Sequence, residues 1–349
     1  MIETEIWGQY RNNPVRLFTI QNENGATLQV TNYGGRIKCL KIPDKTGDLV
    51  DVVLGFSRLQ KYLKDEHYLG AIVGRYANRI ESGSFTLRGT DYSLTCNESG
   101  HHLHGGRRGF DKRLWQAKSV EKPQGSGVIM SYLSKDGEEG YPGNLTIRAS
   151  YILTNENKLE FNVKATTDRS TIVNITTHNY YNFSRENKSI TDHKLSIEAE
   201  KFTPINDNGI PTGEIRDVRQ TPFDFRKPIQ IGKGIDEDSQ QLRNGHGYDH
   251  NFVLRDKRHV TDKVASVYSP STRISLEMKT NQPGLQFYSG NFLGEGSQGK
   301  EGSSFRPNCG FCLEPQNFPD SPNKPNFPSA IITPGEIYEH RTILDFTVS

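Results

Sequence analysis

Apolar and polar residues alternate with a period of two along most of this chain, and that pattern limits it to extended strands. Leu145, Ile147, Ala149, Tyr151 and Leu153 form one apolar face, with Thr146, Arg148, Ser150 and Ile152 between them. Leu159, Phe161, Val163 and Ala165 repeat the pattern, as do Ile274, Leu276 and Met278. Phe85 and Leu87 lead through Gly89 and Thr90 to Tyr92 and Leu94, which reads as a hairpin. Only Ser57 to Lys64 has a helical spacing, with Leu59, Tyr62 and Leu63 on one side. Closely spaced strands with one polar and one apolar face, without helices between them, stack as antiparallel sheets. The expected fold is therefore all-β, a large antiparallel β-sandwich. Its turns draw on 33 Gly and 17 Pro. Large all-β units often exceed the usual domain size. The Gly-rich breaks at 125–127 and 294–304 are short enough to be surface loops, so residues 1–349 are expected to form a single domain.

Charge narrows the partners. With 43 basic against 41 acidic residues and no dense Lys/Arg run, the chain lacks the basic face that nucleic acid requires. A neutral, polar small molecule suits this balance better. No apolar run approaches the roughly 20 residues of a membrane helix. The start, Met1 to Glu5, is acidic with no apolar stretch behind it, which argues against a signal peptide and for a cytoplasmic location. The sequons at Asn144 and Asn174 accordingly carry no weight. Four cysteines in so long a chain make no disulfide framework. Cys309 and Cys312 form a lone CxxC in strand-like surroundings, which would put their sulfurs on opposite faces and disfavours a metal or redox role. His101, His102 and His104 lack further ligands at a diagnostic spacing, so no metal is expected.

Three segments share one property. Asn174, Thr176 and His178 are out of phase with Val173 and Ile175; Gln286 is out of phase with Leu285 and Phe287; Glu314 is out of phase with Phe311 and Leu313. On strands, His178, Gln286 and Glu314 would each leave the core face. From alternation alone the plainer reading, that they face solvent, is favoured.

The order of short motifs goes further. Asn32-Tyr33-Gly34-Gly35, Gly74-Arg75-Tyr76-Ala77-Asn78-Arg79-Ile80, Leu103-His104-Gly105-Gly106 and Gly109-Phe110-Asp111-Lys112 open the series. Gly140-Tyr141-Pro142-Gly143, Thr177-His178-Asn179-Tyr180-Tyr181-Asn182 and Ile210-Pro211-Thr212-Gly213 follow. Tyr248-Asp249-His250-Asn251-Phe252, Pro283 to Tyr288 and Leu313 to Asp320 complete it. Together they resemble the aldose 1-epimerase (galactose mutarotase) family over nearly the whole chain. The resemblance implies a supersandwich with an open sugar-binding groove and interconversion of the α and β anomers of free aldoses such as galactose and glucose. It implies Glu314 as catalytic base and His178 as general acid, and Asn78, Arg79, His104, Asp249 and Gln286 as residues that hold sugar hydroxyls or support the ring oxygen. One departure is Tyr181, where Phe is more usual.

These residue types suit such chemistry. Opening an aldose ring takes a proton from the anomeric hydroxyl and gives one to the ring oxygen, so one base and one acid are the minimum. A carboxylate accepts at neutral pH, while His must be protonated to donate, a form that a nearby Glu314 or Asp249 would favour. The two are expected to face one another across a pocket about as wide as a hexose. No electrons, transferred group or water are consumed, so no cofactor is needed, and the chain has no dinucleotide or P-loop fingerprint. Arg79 would stabilise charge developing on the ring oxygen, its alternative being a pairing with a surface carboxylate. Asp249 would accept from sugar hydroxyls, its alternative being a turn residue beside Gly247. Tyr180 and Phe287 are candidates for stacking on the sugar, with core packing at least as natural. A glycoside hydrolase normally needs two carboxylates flanking the bond. A carbohydrate-binding module would need no aligned acid and base, and a hexose-phosphate epimerase would need a basic cluster. The preferred aldose, the choice between monomer and homodimer, and a role for the 294–304 loop, with Glu295 and Glu301, stay open.

Overall fold

The computed structural model describes residues 1–185, 189–256, 259–294 and 298–349. Its three main sheets are wholly antiparallel. The largest has nine strands and is built around Leu145–Thr154, Lys158–Thr167, Tyr338–Val348 and Ile274–Thr280. A six-stranded sheet runs through Tyr180–Tyr181, Phe311–Gln316, Gly284–Tyr288, Asp249–Leu254, Ala199–Thr203 and Arg216–Asp217. The first 51 residues supply a five-stranded sheet from Ile2–Tyr10 to Leu49–Asp51.

Alternation explains the packing. Leu145, Ile147, Ala149 and Tyr151 are fully buried and share one apolar core with Leu159, Phe161, Val163 and Ala165. The same core takes Phe252, Leu285, Phe287, Phe311 and Leu313 from the six-stranded sheet and Leu28, Val30, Ile37 and Leu40 from the N-terminal one. Each Val, Leu, Ile or Phe among them contributes about 1.5–3 kcal/mol on burial. Phe287 is thereby a core residue and no candidate for stacking on a ligand.

The hairpin forms as expected, Ser84–Leu87 pairing with Thr90–Ser93 around a turn in which Arg88 and Gly89 both take positive φ. The expected helix is a single turn, Leu59–Tyr62. A second short helix, Gln240–Gly245, escaped the pattern because five of its six residues are polar or Gly. The segment from Ile172 to His178 is not one strand. Thr171–Ile172 pairs with Ile331–Ile332, and Thr176–His178 with Ala71–Val73. Between them the Asn174 side chain acts as a main-chain surrogate, donating to the Ala77 carbonyl (3.1 Å) and accepting from the Asn317 amide (2.8 Å).

One ion pair is wholly buried. Arg36 Nη1 lies 2.6 Å from Asp65 Oδ2 and also donates to the Leu69 carbonyl, while Nη2 lies 3.5 Å from Asp111 Oδ2. Asp65 in turn accepts from the amides of His67 and Leu69, so one carboxylate neutralises a core arginine and closes the 65–69 turn.

Buried imidazoles carry a consequence for acid stability. Burial pushes His102 and His340 down to about 4 and His250 to about 3, from an ordinary value of 6.5. Below pH 6.5 the unfolded chain therefore binds protons that the folded chain does not, and stability is lost as pH falls toward these values. Thermal melts at successive pH values should show the midpoint declining from about pH 6.5 downward; a midpoint level to pH 4 would contradict this.

Candidate active site

The six-stranded sheet has a second face, and register decides what it carries. Gln286 lies opposite both Glu314 and Asn251, while Tyr288 lies opposite both Cys312 and Asp249. Opposed residues in an antiparallel pair point the same way. Glu314, Cys312, Gln286, Tyr288 and Asp249 thus share the face turned away from the core. That face does not meet solvent: Gln286 and Glu314 are each 2% exposed, and His178, on the neighbouring strand Thr176–His178, is 5% exposed. The plainer reading of these three as solvent-facing is overturned, because loops from the first third of the chain cover the sheet.

Between sheet and loops lies an open cavity of about 200 Å³. His178, Tyr180, Asp249, Tyr288 and Glu314 line it from the sheet side, and Tyr68, Asn78, Arg79, Glu98 and His104 from the loops. Larger hollows of about 480, 500 and 810 Å³ also occur; the first and last have no histidine among their described walls, and the second, which has His67, adjoins this cavity through Glu66 and His67. Within the 294–304 loop, Glu295 and the side chain of Glu301 lie outside the described residues. Lys300 ties this loop to the Lys38 and Val53 carbonyls and to Asp51, and none of its described residues lines the 200 Å³ cavity.

His178 Nε2 stands 3.7 Å from Glu314 Oε1. Side by side on one wall, the two are too close to hold a hexose between them, contrary to the expected opposition. This spacing suits a substrate whose two reacting oxygens share one carbon. Glu314 Oε2 is buried without a hydrogen-bond partner among the described residues. Arg79 makes a two-pronged contact with Glu98 (2.6 and 2.8 Å) and approaches Asp249 at 3.6 Å. Arg79 thus pairs with a carboxylate at the cavity rim, its alternative reading, while also lining the cavity. Gln286 is not a cavity wall. Its amide donates to Asp249 Oδ1 (2.7 Å) and its carbonyl accepts from Gln316, so it positions Asp249 from behind. The added Tyr181 hydroxyl is buried but accepts from Asn179, which satisfies it.

Asn78 and His104 lock each other. The Asn78 amide donates to His104 Nδ1, and the His104 amide donates to the Asn78 carbonyl, both at 3.1 Å. Both residues, and Tyr68, hold left-handed backbones, with φ of 63°, 50° and 57°; such conformations cost energy in non-glycine residues and cluster at functional sites. A main-chain N–H can only donate, so His104 Nδ1 presents a lone pair and the neutral ring carries its proton on Nε2. This bears on metals. His104, His178 and Glu314 have ligand atoms within 4.8 Å of one another, a convergence the sequence did not reveal. Yet the remaining nitrogen of His104 is an N–H donor, which is unfit to coordinate a cation.

Burial dominates the electrostatics. It raises Glu314 well above the ordinary carboxylate value, with Asp249 adding to the effect and Arg79 opposing it. It pushes His178 down to about 4 and His104 well below its ordinary value. Asp249 is also raised by burial, against the pull of Arg79 and Gln286. Arg79 stays firmly charged, because Asp249 and Glu98 outweigh its desolvation. The expectation that a carboxylate would keep His178 protonated therefore fails, because burial outweighs the nearby charges. Two groups desolvated together favour neutral forms over an ion pair at 3.7 Å.

Some of these residues carried a readable signal. Tyr288 and Cys312 are in phase with Gln286 and Glu314. The CxxC reading went astray because Cys309 precedes the strand and only Cys312 lies on it. Tyr68 and Glu98 sit outside any alternating stretch and left no mark.

A family model described as aldose 1-epimerase matches residues 16–345. Galactose mutarotase from Bos taurus is 41% identical over 336 residues, 96% of this chain and 95% of the relative. Aldose 1-epimerase from Escherichia coli K12 is 36% identical over 335 residues, covering 95% of each. Among solved structures, the GalM/aldose epimerase homologue from C. elegans superposes with a TM-score of 0.87 at 30% identity, covering 95% of this chain and 98% of that one. Galactose 1-epimerase from Lactobacillus acidophilus NCFM gives a TM-score of 0.88 at 26% identity, covering 100% and 99%.

Proposed function

The chain belongs to the aldose 1-epimerase family, and we propose that it acts as a mutarotase in which Glu314 and His178 move the protons that open and close the sugar ring. The observation that carries this reading is the buried Glu314–His178 pair at 3.7 Å in the cavity wall, with one carboxylate oxygen free of any hydrogen-bond partner among the described residues. Glu314 takes the proton of the anomeric hydroxyl while His178 gives one to the ring oxygen. The pair holds one proton throughout. Opening draws on the form in which the shared proton sits on His178 and Glu314 is ionised, and it leaves Glu314 protonated and His178 neutral, the distribution that burial favours; rotation about C1–C2 and closure with roles reversed give the other anomer. Arg79 places a permanent positive charge beside the oxygen where negative charge develops. His104 donates to a sugar oxygen, Asp249 accepts from hydroxyls, and Asn78 contributes its amide. The substrate is a small free aldose; we place the chain in the cytoplasm as one domain, consistent with the absence, among the described residues, of a helix long and apolar enough to cross a membrane.

Polarimetry on freshly dissolved α-D-galactose and α-D-glucose tests the proposal. Wild type should speed relaxation to the anomeric equilibrium, and folded His178→Asn should return it nearly to the buffer rate; full activity in that variant would refute the acid–base assignment. The rate should fall as pH drops through about 4, where His178 takes up a second proton on the pair and Glu314 can no longer accept one. Comparison across a panel of pure anomers identifies the preferred aldose.

A further inference from the structure

We propose that Glu98 is a positioning residue for Arg79, its carboxylate gripping one edge of the guanidinium and so keeping Nη1 available to the sugar and off Asp249. The inference rests on the mutarotase reading of the site and deepens it. Arg79 Nε donates to Glu98 Oε2 at 2.6 Å and Nη2 donates to Oε1 at 2.8 Å. Two parallel bonds of this kind fix the plane of a guanidinium as well as its place. On the other side, Nη1 lies 3.6 Å from Asp249 Oδ2, beyond an ordinary hydrogen bond. Asp249 Oδ1 is engaged by Gln286, so Oδ2 is the oxygen left to receive a ligand. Arg79 thus stands between two carboxylates that both line the cavity, bonded to one and held just short of the other.

The frame around this grip is built from the neighbouring chain. Arg79 pairs with Leu103 across the short strands Arg79–Ile80 and His102–Leu103. Asn97 is tied to Leu103 in both directions, donating to its carbonyl (3.0 Å) and accepting from its amide (2.8 Å). From Asn97 the chain reverses through a tight turn in which Ser99 and Gly100 both hold positive φ and the His101 amide donates to the Glu98 carbonyl at 2.7 Å. The carboxylate therefore reaches Arg79 from a turn anchored on the partner strand of Arg79 itself. The guanidinium is closed from its face as well. A Cβ on Gly209, whose φ is 73°, would come within 3.0 Å of Arg79 Cζ and 3.2 Å of Nε and Nη1. Edge and face together leave the plane one setting.

Removing the grip has a defined result. The Glu98 side chain is 33% exposed, so as an ion pair it contributes little to stability, and its weight falls on where Arg79 points. An amide in its place has a single acceptor oxygen and cannot serve both Nε and Nη2. The guanidinium, still charged, is then drawn to Asp249, the other carboxylate beside it. That movement closes the 3.6 Å gap, occupies Oδ2 and carries the positive charge away from the ring oxygen.

The test uses the full-length enzyme in a double-mutant cycle of Glu98→Gln and Arg79→Lys, read by polarimetry, with the ¹⁵Nε–H signal of Arg79 followed by NMR in the ligand-free proteins. Lysine keeps the charge but offers no edge for a carboxylate to grip. In wild type, Glu98→Gln should lower kcat/KM by about 10- to 100-fold, the scale for a catalytic group misplaced by about 1 Å. In the Arg79→Lys background the same change should cost less than about threefold, because the residue it acts through is gone. The Arg79 Nε–H should be protected from exchange with water in wild type and lose that protection in Glu98→Gln. Equal losses in both backgrounds, or a wild-type loss under about threefold, overturn the proposal. An Nε–H signal unchanged by Glu98→Gln overturns it too, and decides the matter alone should Arg79→Lys not fold. A wild type that leaves mutarotation at the buffer rate would instead remove the functional reading, while the NMR comparison still decides the grip.

Discussion

Glu314→Gln is expected to slow mutarotation by about 10²–10⁴-fold, the usual span for removing a general base, and at the same time to make the protein more stable near neutral pH. The amide matches the carboxylate in shape but cannot accept the anomeric proton. The stability gain follows from the sign of the shift. Burial raises Glu314 above its unfolded value of 4.5, so between that value and its folded one the unfolded chain releases a proton the folded chain keeps. Stability then falls as pH rises through this window. Glutamine has no such dependence and leaves no buried carboxylate to ionise. Polarimetry and thermal melts on one sample decide both halves. A variant within tenfold of wild-type rate would remove Glu314 from the chemistry, and a lowered melting midpoint would show that the carboxylate has a structural role instead.

Asp65→Asn should be among the most damaging single changes, costing about 3–5 kcal/mol as expected when one partner of a buried ion pair is removed. Asparagine keeps one acceptor oxygen, so it serves only one of the His67 and Leu69 amides, which reach Oδ1 and Oδ2 respectively, and the loss combines the charge with one hydrogen bond. Arg36 would remain fully buried with Asp111 alone, at 3.5 Å; burial already raises that carboxyl to about 6. Urea unfolding measures the loss. A midpoint within about 0.5 kcal/mol of wild type, the range of ordinary surface substitutions, would mean that Asp111 compensates in full. The turn that Asp65 closes carries Tyr68, whose ring packs on His104 at 4.6 Å and on His178 at 5.8 Å. Activity should therefore decline along with stability.

The sequence made the sheets legible because their cores are one-sided. Leu145 to Leu153 and Leu159 to Ala165 bury alternate residues, and a period of two survives translation into structure. The same rule separated Gln286 and Glu314 from their apolar neighbours. It could not say what those residues faced, since alternation distinguishes core from not-core and is silent on whether a loop covers the second face. The motifs that resemble the family named the members of the site; their arrangement came only from the structure. The reach between His178 and Glu314, the retreat of Gln286 behind Asp249 and the pairing of Arg79 with Glu98 depend on contacts between residues far apart in the chain. The 172–178 stretch misled for a related reason: its residues are buried on both sides, and Asn174 interrupts the ladder to serve two neighbouring segments.

The interlock of Asn78 and His104 sets a rule of polarity for whatever enters the cavity. A proton fixed on His104 Nε2 by a main-chain amide on the opposite side of the ring cannot be exchanged for a lone pair without breaking the loop that holds it. A guest must therefore offer electron density at that spot, as a hydroxyl or ring ether does. An amino sugar with an ammonium group there would bring hydrogen against hydrogen. Discrimination against such compounds is thus written into the direction of one backbone N–H, before any question of shape arises.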